Sequence, residues 1–163
     1  MSVDPIKPSR LSPPILLATW FGAGWLPKMP GTWGSLAALP FAWWIAEAGG
    51  ICALLGATTA VFAIGVWASN RFVASYGGDD PGPVVIDEVA GQWLTLAVVA
   101  PDPELYALGF VFFRIADIAK PWPANWADRS IKGGLGIMVD DIFAAVYAGA
   151  ALWGVTYLMH GAT

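Results

Sequence analysis

FRIADIAKPWPANWADRSIKGGLGIMVDD, residues 113–141, decides how this chain is organised. The stretch holds four of the protein's eight basic residues and four of its twelve acidic residues, and an apolar segment lies on each side of it. Only 12 % of the 163 residues are charged, and the mean hydropathy is +0.61. Such clustering of charge in an apolar chain indicates a polar site attached to a hydrophobic scaffold.

The composition places the scaffold in the membrane class. Hydrophobic residues make up 57 % of the chain and ten residues are Trp, which is outside the usual range of a soluble domain. The length favours one domain over residues 1–163, with 1–13 as a flexible tail. A net charge of −4 without a basic stripe argues against nucleic-acid binding. The single Cys52 excludes an intrachain disulfide, and we expect no removable signal peptide.

Apolar segments predict an all-α, multi-helical integral membrane protein with short connections. About five of them follow one another, at 35–48, 51–69, 84–100, 105–118 and 142–159. The second has the length that a bilayer crossing requires, whereas the third and fourth are short for a full crossing. Gly49 and Gly50 predict a turn, and the PWP sequence at 121–123 predicts the end of the fourth helix. We expect Asp140 and Asp141 in the first turn of the last helix.

The basic residues predict the orientation of these segments. If the segments alternate across a membrane, the connections at 49–50 and 101–104 and the C-terminal end lie on one side, and they contain no Lys or Arg. All eight basic residues then lie on the other side, which the positive-inside rule assigns to the cytoplasm. The polar motifs gather on that same cytoplasmic side.

Acidic residues at the ends of apolar helices have two interpretations. One is capping, because a carboxylate in the first turn interacts favourably with the helix dipole. Capping explains the neighbouring pairs Asp87–Glu88 and Asp140–Asp141 less well, since one carboxylate per helix suffices and two repel each other. A bound Mg²⁺ would relieve this repulsion, because the ion prefers carboxylate oxygens and leaves coordination places for a substrate phosphate.

Arg114, Asp117 and Lys120 follow one another at intervals of three residues. An ordinary salt bridge between Arg114 and Asp117 is one interpretation of the spacing. The other is that Asp117 helps to hold a metal ion while Arg114 and Lys120 hold an anion. The glycines at 133, 134 and 136 are consistent with a turn that approaches a phosphate.

The remaining residue types narrow the chemistry. Cys52 lies in an apolar segment without a following arginine loop, which argues against a cysteine phosphatase. His160 is the sole histidine and is expected at the far end of the last helix, so histidine nucleophiles and His-based triads are excluded. Zinc sites built from His and Cys are excluded by the same counts. Carboxylate, Lys and Arg chemistry remains, and it fits metal-assisted transfer of a phosphoryl group to water.

Three blocks of sequence resemble the signature blocks of the phosphatidylglycerophosphatase A family. They are PKMPGTWGSLAALP at 27–40, VIDEVAGQWLTL at 85–96 and RIADIAKPWPANWADRSIKGGLGIMVDDIFAAVYAG at 114–149. The resemblance implies a Mg²⁺-dependent helical enzyme that removes the terminal phosphate of phosphatidylglycerophosphate in phospholipid biosynthesis. It also implies a multi-pass protein of the bacterial inner (cytoplasmic) membrane, with its active site facing the cytoplasm.

Under this hypothesis each predicted site residue has a role. We expect the metal ligands to be Asp87, Glu88, Asp117, Asp140 and Asp141. Of these, Asp87, Glu88, Asp117 and Asp141 are the predicted catalytic residues, one of which orients or deprotonates the attacking water. The predicted phosphate-binding residues are Arg114, Lys120 and Arg129, completed by Lys28, Thr32 and Ser35. An aspartyl-phosphate intermediate is the alternative to direct attack by water.

Two other classes of protein compete with this hypothesis. A small membrane ion transporter would also carry acidic residues among apolar helices, but distributed along a path. A non-catalytic membrane assembly protein would use the same residues as helix caps and salt bridges. The sequence leaves the oligomeric state and the selectivity for the head group open.

Overall fold

The computed structural model describes residues 8–160, so residues 1–7 of the predicted tail and residues 161–163 lie outside the described part. Between residues 8 and 160 the chain is helical and contains no strand, which confirms the predicted all-α class. The helices are α1 (Pro13–Ala18), α2 (Pro30–Tyr76), α3 (Ile86–Leu96), α4 (Pro103–Ala119), α5 (Ala124–Ser130) and α6 (Gly133–His160), with a 3₁₀ turn at Ala23–Trp25.

The long helix α2 is broken at Gly50, whose φ of 66° and ψ of −166° are not helical. A side chain added at Gly34 would lie 2.7 Å from Val85, and one added at Gly65 would lie 3.4 Å from Ile86. Two positions on opposite sides of Gly50 therefore contact adjacent residues at the start of α3. The chain reverses direction at Gly50, and α2 consists of a first arm (30–49) and a second arm (51–76). The predicted turn at Gly49–Gly50 is confirmed.

Two helices, α2 and α6, are long and apolar enough to cross a membrane. In α2 only 22 % of the most apolar stretch is buried, so this surface does not belong to the core of the described chain. At 11 residues α3 is about 16 Å long, too short for a crossing. The prediction of about five membrane segments therefore stays a prediction.

The centre of the bundle is α3, which packs against α2, α4 and α6. Nine of its eleven residues are buried, which explains why its sequence beyond the first turn carries no charge. The indole of Trp93 donates a hydrogen bond of 2.9 Å to the Ala38 carbonyl oxygen, so it fixes α3 against the first arm of α2. The first turn of α3 is thereby held at one end of the bundle.

The last helix begins earlier than the sequence indicated. It starts at Gly133, so Asp140 and Asp141 lie about two turns inside it, and the prediction that they occupy its first turn is wrong. The Gly134 amide donates to the Asn70 side-chain oxygen at 2.8 Å, and a side chain at Gly134 would overlap the Val66 carbonyl oxygen. These glycines permit close packing against α2, whereas the sequence had indicated a phosphate-approaching turn.

Candidate active site

A cleft of about 440 Å³ opens at the end of the bundle where α3 and α6 carry their acidic pairs. It is bounded by the start of α2, the start of α3, the end of α4 and the third turn of α6. Its charged lining residues are six acids and two bases: Asp80, Asp87, Glu88, Asp117, Asp140, Asp141, Arg114 and Lys120. Sequence-distant residues are thus brought to one place, as the predicted topology required.

The floor of the cleft holds three carboxylates that face one another. One oxygen from each of Asp87, Glu88 and Asp141 lies within 4.8 Å of the other two. Asp87 and Asp141 are buried, and each of the three residues has a buried oxygen without a hydrogen-bond partner: Asp87 Oδ1, Glu88 Oε2 and Asp141 Oδ2. Unpaired buried oxygens of this kind are costly unless a cation or a proton is bound to them.

The pKa values of the two acidic residues of α3 also indicate that their negative charge lacks compensation. Removal from water raises the pKa of Glu88 to about 8, and burial raises the pKa of Asp87 well above its ordinary value. The neighbouring carboxylates act in the same direction on Asp87, because like charges oppose its ionisation. The arrangement fits a divalent cation, which would compensate the negative charge that the fold places together.

Arg114 joins three elements beside these carboxylates. Its Nη1 atom lies 2.7 Å from Asp117 Oδ2 and 4.0 Å from Glu88 Oε1, and it donates to the Ser35 hydroxyl at 3.3 Å. The Arg114 side chain is only 13 % exposed, and its Nε has no hydrogen-bond partner. The salt bridge to Asp117 that the three-residue spacing allowed is therefore present. The contacts to Asp117 and Ser35 use Nη1, so the guanidinium keeps further N–H donors for an anion.

Lys120 closes the opposite side of the cleft. Its ammonium group lies 2.8 Å from Asp128 Oδ1 on α5 and 2.6 Å from Asp140 Oδ2 on α6. Burial opposes its charge, but hydrogen bonds to Asp128 and Asp140 outweigh this and raise the pKa of Lys120 above its usual range. Successive residues on a helix point about 100° apart. Asp140 therefore faces Lys120, while Asp141 faces Asp87 and Glu88, with which it forms the three-carboxylate group.

Glycine at position 31 makes room for this cluster. A methyl group there would overlap the Glu88 carboxylate and lie 3.1 Å from Arg114 Nη1. The preceding turn is held by the Trp33 indole, which donates to the Lys28 carbonyl oxygen at 3.1 Å. Residues 30–33, PGTW, form this wall of the cleft. The missing side chain of Gly31 leaves the space that the Glu88 carboxylate occupies.

Four of the predicted phosphate-binding residues are placed differently from Arg114 and Lys120. Lys28 and Arg129 are exposed, and neither lines the cleft. Ser35 is buried behind the wall and donates to the Gly31 carbonyl oxygen at 2.9 Å, so it reaches the site only through Arg114. The Thr32 hydroxyl is buried without a partner and also lies outside the lining.

Sequence reasoning missed three contributors to the site. Asp80 lines the cleft and Asp128 holds Lys120, although neither was assigned a role. Gly31 was not assigned a role either. The signal for Asp80 was its position in a Gly- and Pro-rich turn seven residues before Asp87, which returns the chain to the same end of the bundle.

Comparisons with known proteins give matches over most of the chain. A family described as phosphatidylglycerophosphatase A matches residues 16–156. A curated phosphatidylglycerophosphatase A of Escherichia coli (strain K12) is 42 % identical over 144 residues, which cover 85 % of this chain and 80 % of the relative. The protein of the same name from Haemophilus influenzae is 35 % identical over 158 residues, covering 96 % and 97 %.

A third relative carries a different name. The putative phosphatidylinositol-3-phosphatase of Bacteroides thetaiotaomicron is 38 % identical over 159 residues, which cover 87 % of this chain and 91 % of the relative. No solved structure matches the chain.

Proposed function

Because this chain belongs to the phosphatidylglycerophosphatase A family, we propose that the cleft hydrolyses phosphatidylglycerophosphate to phosphatidylglycerol and phosphate in phospholipid biosynthesis. In this reaction water attacks phosphorus, the bond between phosphorus and the glycerol oxygen breaks, and that oxygen takes up a proton. The family relation supports a phosphatase, and the residues in the cleft supply the chemistry.

The observation that carries the proposal is the charge of the cleft. Six acidic residues face two basic ones, so a phosphate monoester would be repelled unless cations were bound there. The three facing carboxylates with unpaired buried oxygens fit a Mg²⁺ ion, which prefers oxygen ligands. When bound, Mg²⁺ would neutralise phosphate charge and polarise the phosphorus–oxygen bond.

We assign the metal to Asp87, Glu88 and Asp141, whose oxygens already face one another. Asp117 and Asp140 are each paired with a basic residue through one oxygen, and their predicted part in metal binding stays a proposal. One carboxylate that is free of the ion orients or deprotonates the attacking water. A direct attack by an Asp side chain is the alternative, and it would leave label on the protein after rapid quench with labelled substrate.

Arg114 and Lys120 are proposed to bind the phosphate from two sides of the cleft. The guanidinium offers a planar fork and the ammonium a point charge, and both stabilise negative charge as it develops on the phosphoryl oxygens. Their carboxylate partners hold the two groups in place before substrate arrives. Arg129 and Lys28, being exposed, would contact only the outer part of a head group.

A membrane location follows from the same reaction, because the substrate is a diacyl lipid. The two long apolar helices and the exposed apolar surface of α2 support insertion into a bilayer. We propose the bacterial inner membrane with several crossings. The basic residues support a cleft that faces the cytoplasm. A transporter is disfavoured because the acids form one cluster and are not distributed along a path.

Phosphate release from phosphatidylglycerophosphate in mixed micelles tests the function. We expect release by the purified protein in Mg²⁺, loss of release after treatment with EDTA, and recovery when excess Mg²⁺ is added. Phosphatidylinositol 3-phosphate serves as the comparison substrate, because one relative is named for it. Faster release from the inositol lipid would overturn the proposed substrate, and unchanged release in EDTA would overturn the proposed metal.

Gly31→Ala tests the wall of the cleft. The added methyl group would displace the Glu88 carboxylate, and we expect phosphate release to fall by about a hundredfold, as for a reacting group misplaced by about 1 Å. Gly56→Ala is the matched control, since a side chain at Gly56 of α2 meets nothing within 4 Å. We expect the control to keep wild-type activity. Equal rates for the two variants would show that the close approach at Gly31 has no role in catalysis.

A further inference from the structure

One acidic residue of the cleft belongs neither to the three-carboxylate group nor to a salt bridge. Asp117 is paired with Arg114 and Asp140 is paired with Lys120, while three further acids face one another. The sixth acid is Asp80, whose carboxylate has no hydrogen-bond or ion-pair partner among residues 8–160. A negative group that the packing of the protein leaves unpaired in a phosphate site needs a role of its own.

The connection between α2 and α3 holds Asp80 in the wall of the cleft. The Val84 amide donates to the Pro81 carbonyl oxygen at 2.8 Å, which closes a turn directly after Asp80. The next amide, that of Val85, donates to the Ala18 carbonyl oxygen of α1 at 2.8 Å. The residues that follow Asp80 are therefore fixed to the bundle by hydrogen bonds, and they set its position in the cleft.

Asp80 lies at the mouth of the cleft. Of the eight charged residues described in its lining, Asp80 alone is exposed, whereas the three-carboxylate group lies at the floor. Partial removal from water raises the pKa of Asp80, while the positive charge of Lys120 lowers it. The Asp80 carboxylate is therefore near enough to Lys120 for their charges to interact, and it is accessible to a group that enters from outside.

The position of Asp80 selects the part of the substrate that it contacts. Under the proposed function the terminal phosphate lies between Arg114 and Lys120, so the glycerol that carries this phosphate extends toward the mouth. An ionised carboxylate accepts hydrogen bonds, donates none and repels phosphate oxygens. Between its two phosphates the head group of phosphatidylglycerophosphate has a single hydrogen-bond donor, the hydroxyl of the central glycerol carbon. That hydroxyl is the group of the head group that an ionised Asp80 attracts.

We propose that Asp80 is a specificity-determining residue that accepts a hydrogen bond from the head-group hydroxyl. The inference rests on the proposed function, and it names the substrate class: phosphate monoesters with a hydroxyl on the carbon next to the phosphate-bearing carbon. Lys120 then binds the phosphate while Asp80 binds the neighbouring hydroxyl. Activation of the attacking water by Asp80 is the competing interpretation, and it differs because it affects every substrate alike.

Asp80→Ala tests this contact with two substrates in mixed micelles containing Mg²⁺. One is phosphatidylglycerophosphate, and the other is its deoxy analogue, in which hydrogen replaces the head-group hydroxyl. We expect the wild-type kcat/KM to be about tenfold higher for the hydroxylated lipid, the low end for a hydrogen bond to a charged group because the mouth is open to water. In Asp80→Ala we expect the hydroxylated lipid to lose this tenfold advantage, while kcat/KM for the deoxy analogue stays at the wild-type value.

The matched control is Asp79→Ala, the same substitution at the neighbouring residue, which is exposed and does not line the cleft. We expect it to keep both rates and the tenfold preference. Asp80→Asn keeps the shape of the side chain and one neutral acceptor, so we expect a preference of about threefold. If Asp80→Ala unfolds below the wild-type temperature, the Asp80→Asn comparison decides.

Three results would overturn the contact: a wild type without preference, a full preference in the Asp80 variants, or an equal loss on both substrates in a variant as stable as wild type. The last result would assign Asp80 to the attacking water. In each case, phosphate release by the wild-type protein would still uphold the proposed function. Absence of release by the wild-type protein from either substrate would overturn the proposed function itself.

Discussion

Asp141→Asn is expected to lower phosphate release by about a thousandfold, the largest effect of any single substitution that we anticipate. Asp141 is buried, and it contributes the one oxygen of the three-carboxylate group that does not come from α3. Asparagine keeps the shape of the side chain but supplies one neutral oxygen where a carboxylate stood. The group would then consist of two adjacent residues of a single helix, which hold a divalent ion poorly.

The stability of the same variant separates a lost ligand from a lost fold. In the absence of metal, the ionisation of these facing carboxyl groups is opposed by burial and by one another, so replacing one of them with a neutral amide costs little, and we expect thermal unfolding at or above the wild-type temperature. Adding Mg²⁺ should stabilise the wild-type protein, because the ion binds the folded state, and should stabilise Asp141→Asn much less. Asp79→Asn is the control, since Asp79 is exposed and paired with Lys132 outside the cleft. Equal Mg²⁺ stabilisation of wild type and Asp141→Asn would contradict the assignment.

Lys120→Gly is expected to lower phosphate release by about a hundredfold while changing stability little. Lys120 caps the C-terminal end of α4 with φ of 42° and ψ of 61°, a left-handed conformation that favours glycine at the end of a helix. Lysine at such a position indicates that its ammonium group is needed there. The substitution removes the ammonium group that bridges Asp128 and Asp140. It also relieves the backbone strain of a residue with a side chain in the left-handed conformation.

Lys120→Ala provides the comparison, because it removes the same ammonium group but keeps the left-handed strain. We expect the two variants to be equally inactive and the glycine variant to be more stable by about 1 kcal/mol, measured by chemical denaturation. Substantial activity in Lys120→Gly would mean that the ammonium group serves the packing of α5 and α6 and has no part in phosphate binding.

The sequence predicted that the acidic pairs and the basic residues gather at one end of the molecule, because alternating apolar segments constrain the topology strongly. It also predicted the end of α4 before PWP and the turn at Gly50, since Pro and Gly act through local backbone geometry. These predictions needed no knowledge of how helices pack. The same arguments brought Asp87 and Glu88 to the same end as Asp141.

Which acidic residues of the site face one another depends on how the helices pack, and the sequence does not show this. Asp140 and Asp141 are neighbours, yet one pairs with Lys120 and the other joins the three-carboxylate group, because the rotation of α6 is set by its contacts. A side chain at Gly91 of α3 would lie 3.0 Å from the Asp141 carbonyl oxygen, so that glycine permits the close approach of the two helices. The start of α6 was misplaced because glycines that pack closely look like glycines that break a helix.

Because α2 reverses direction at Gly50, the length of its two arms is independent of the geometry of the site. Each arm of α2 leaves the cleft, and the turn lies about 28 Å from Gly31 along the first arm. Insertions of equal length in both arms would move the turn while leaving Gly31 beside Glu88 and Asn70 beside Gly134. Under the proposed membrane location, such insertions would match this hairpin to bilayers of different thickness without altering the residues that are proposed to perform the chemistry.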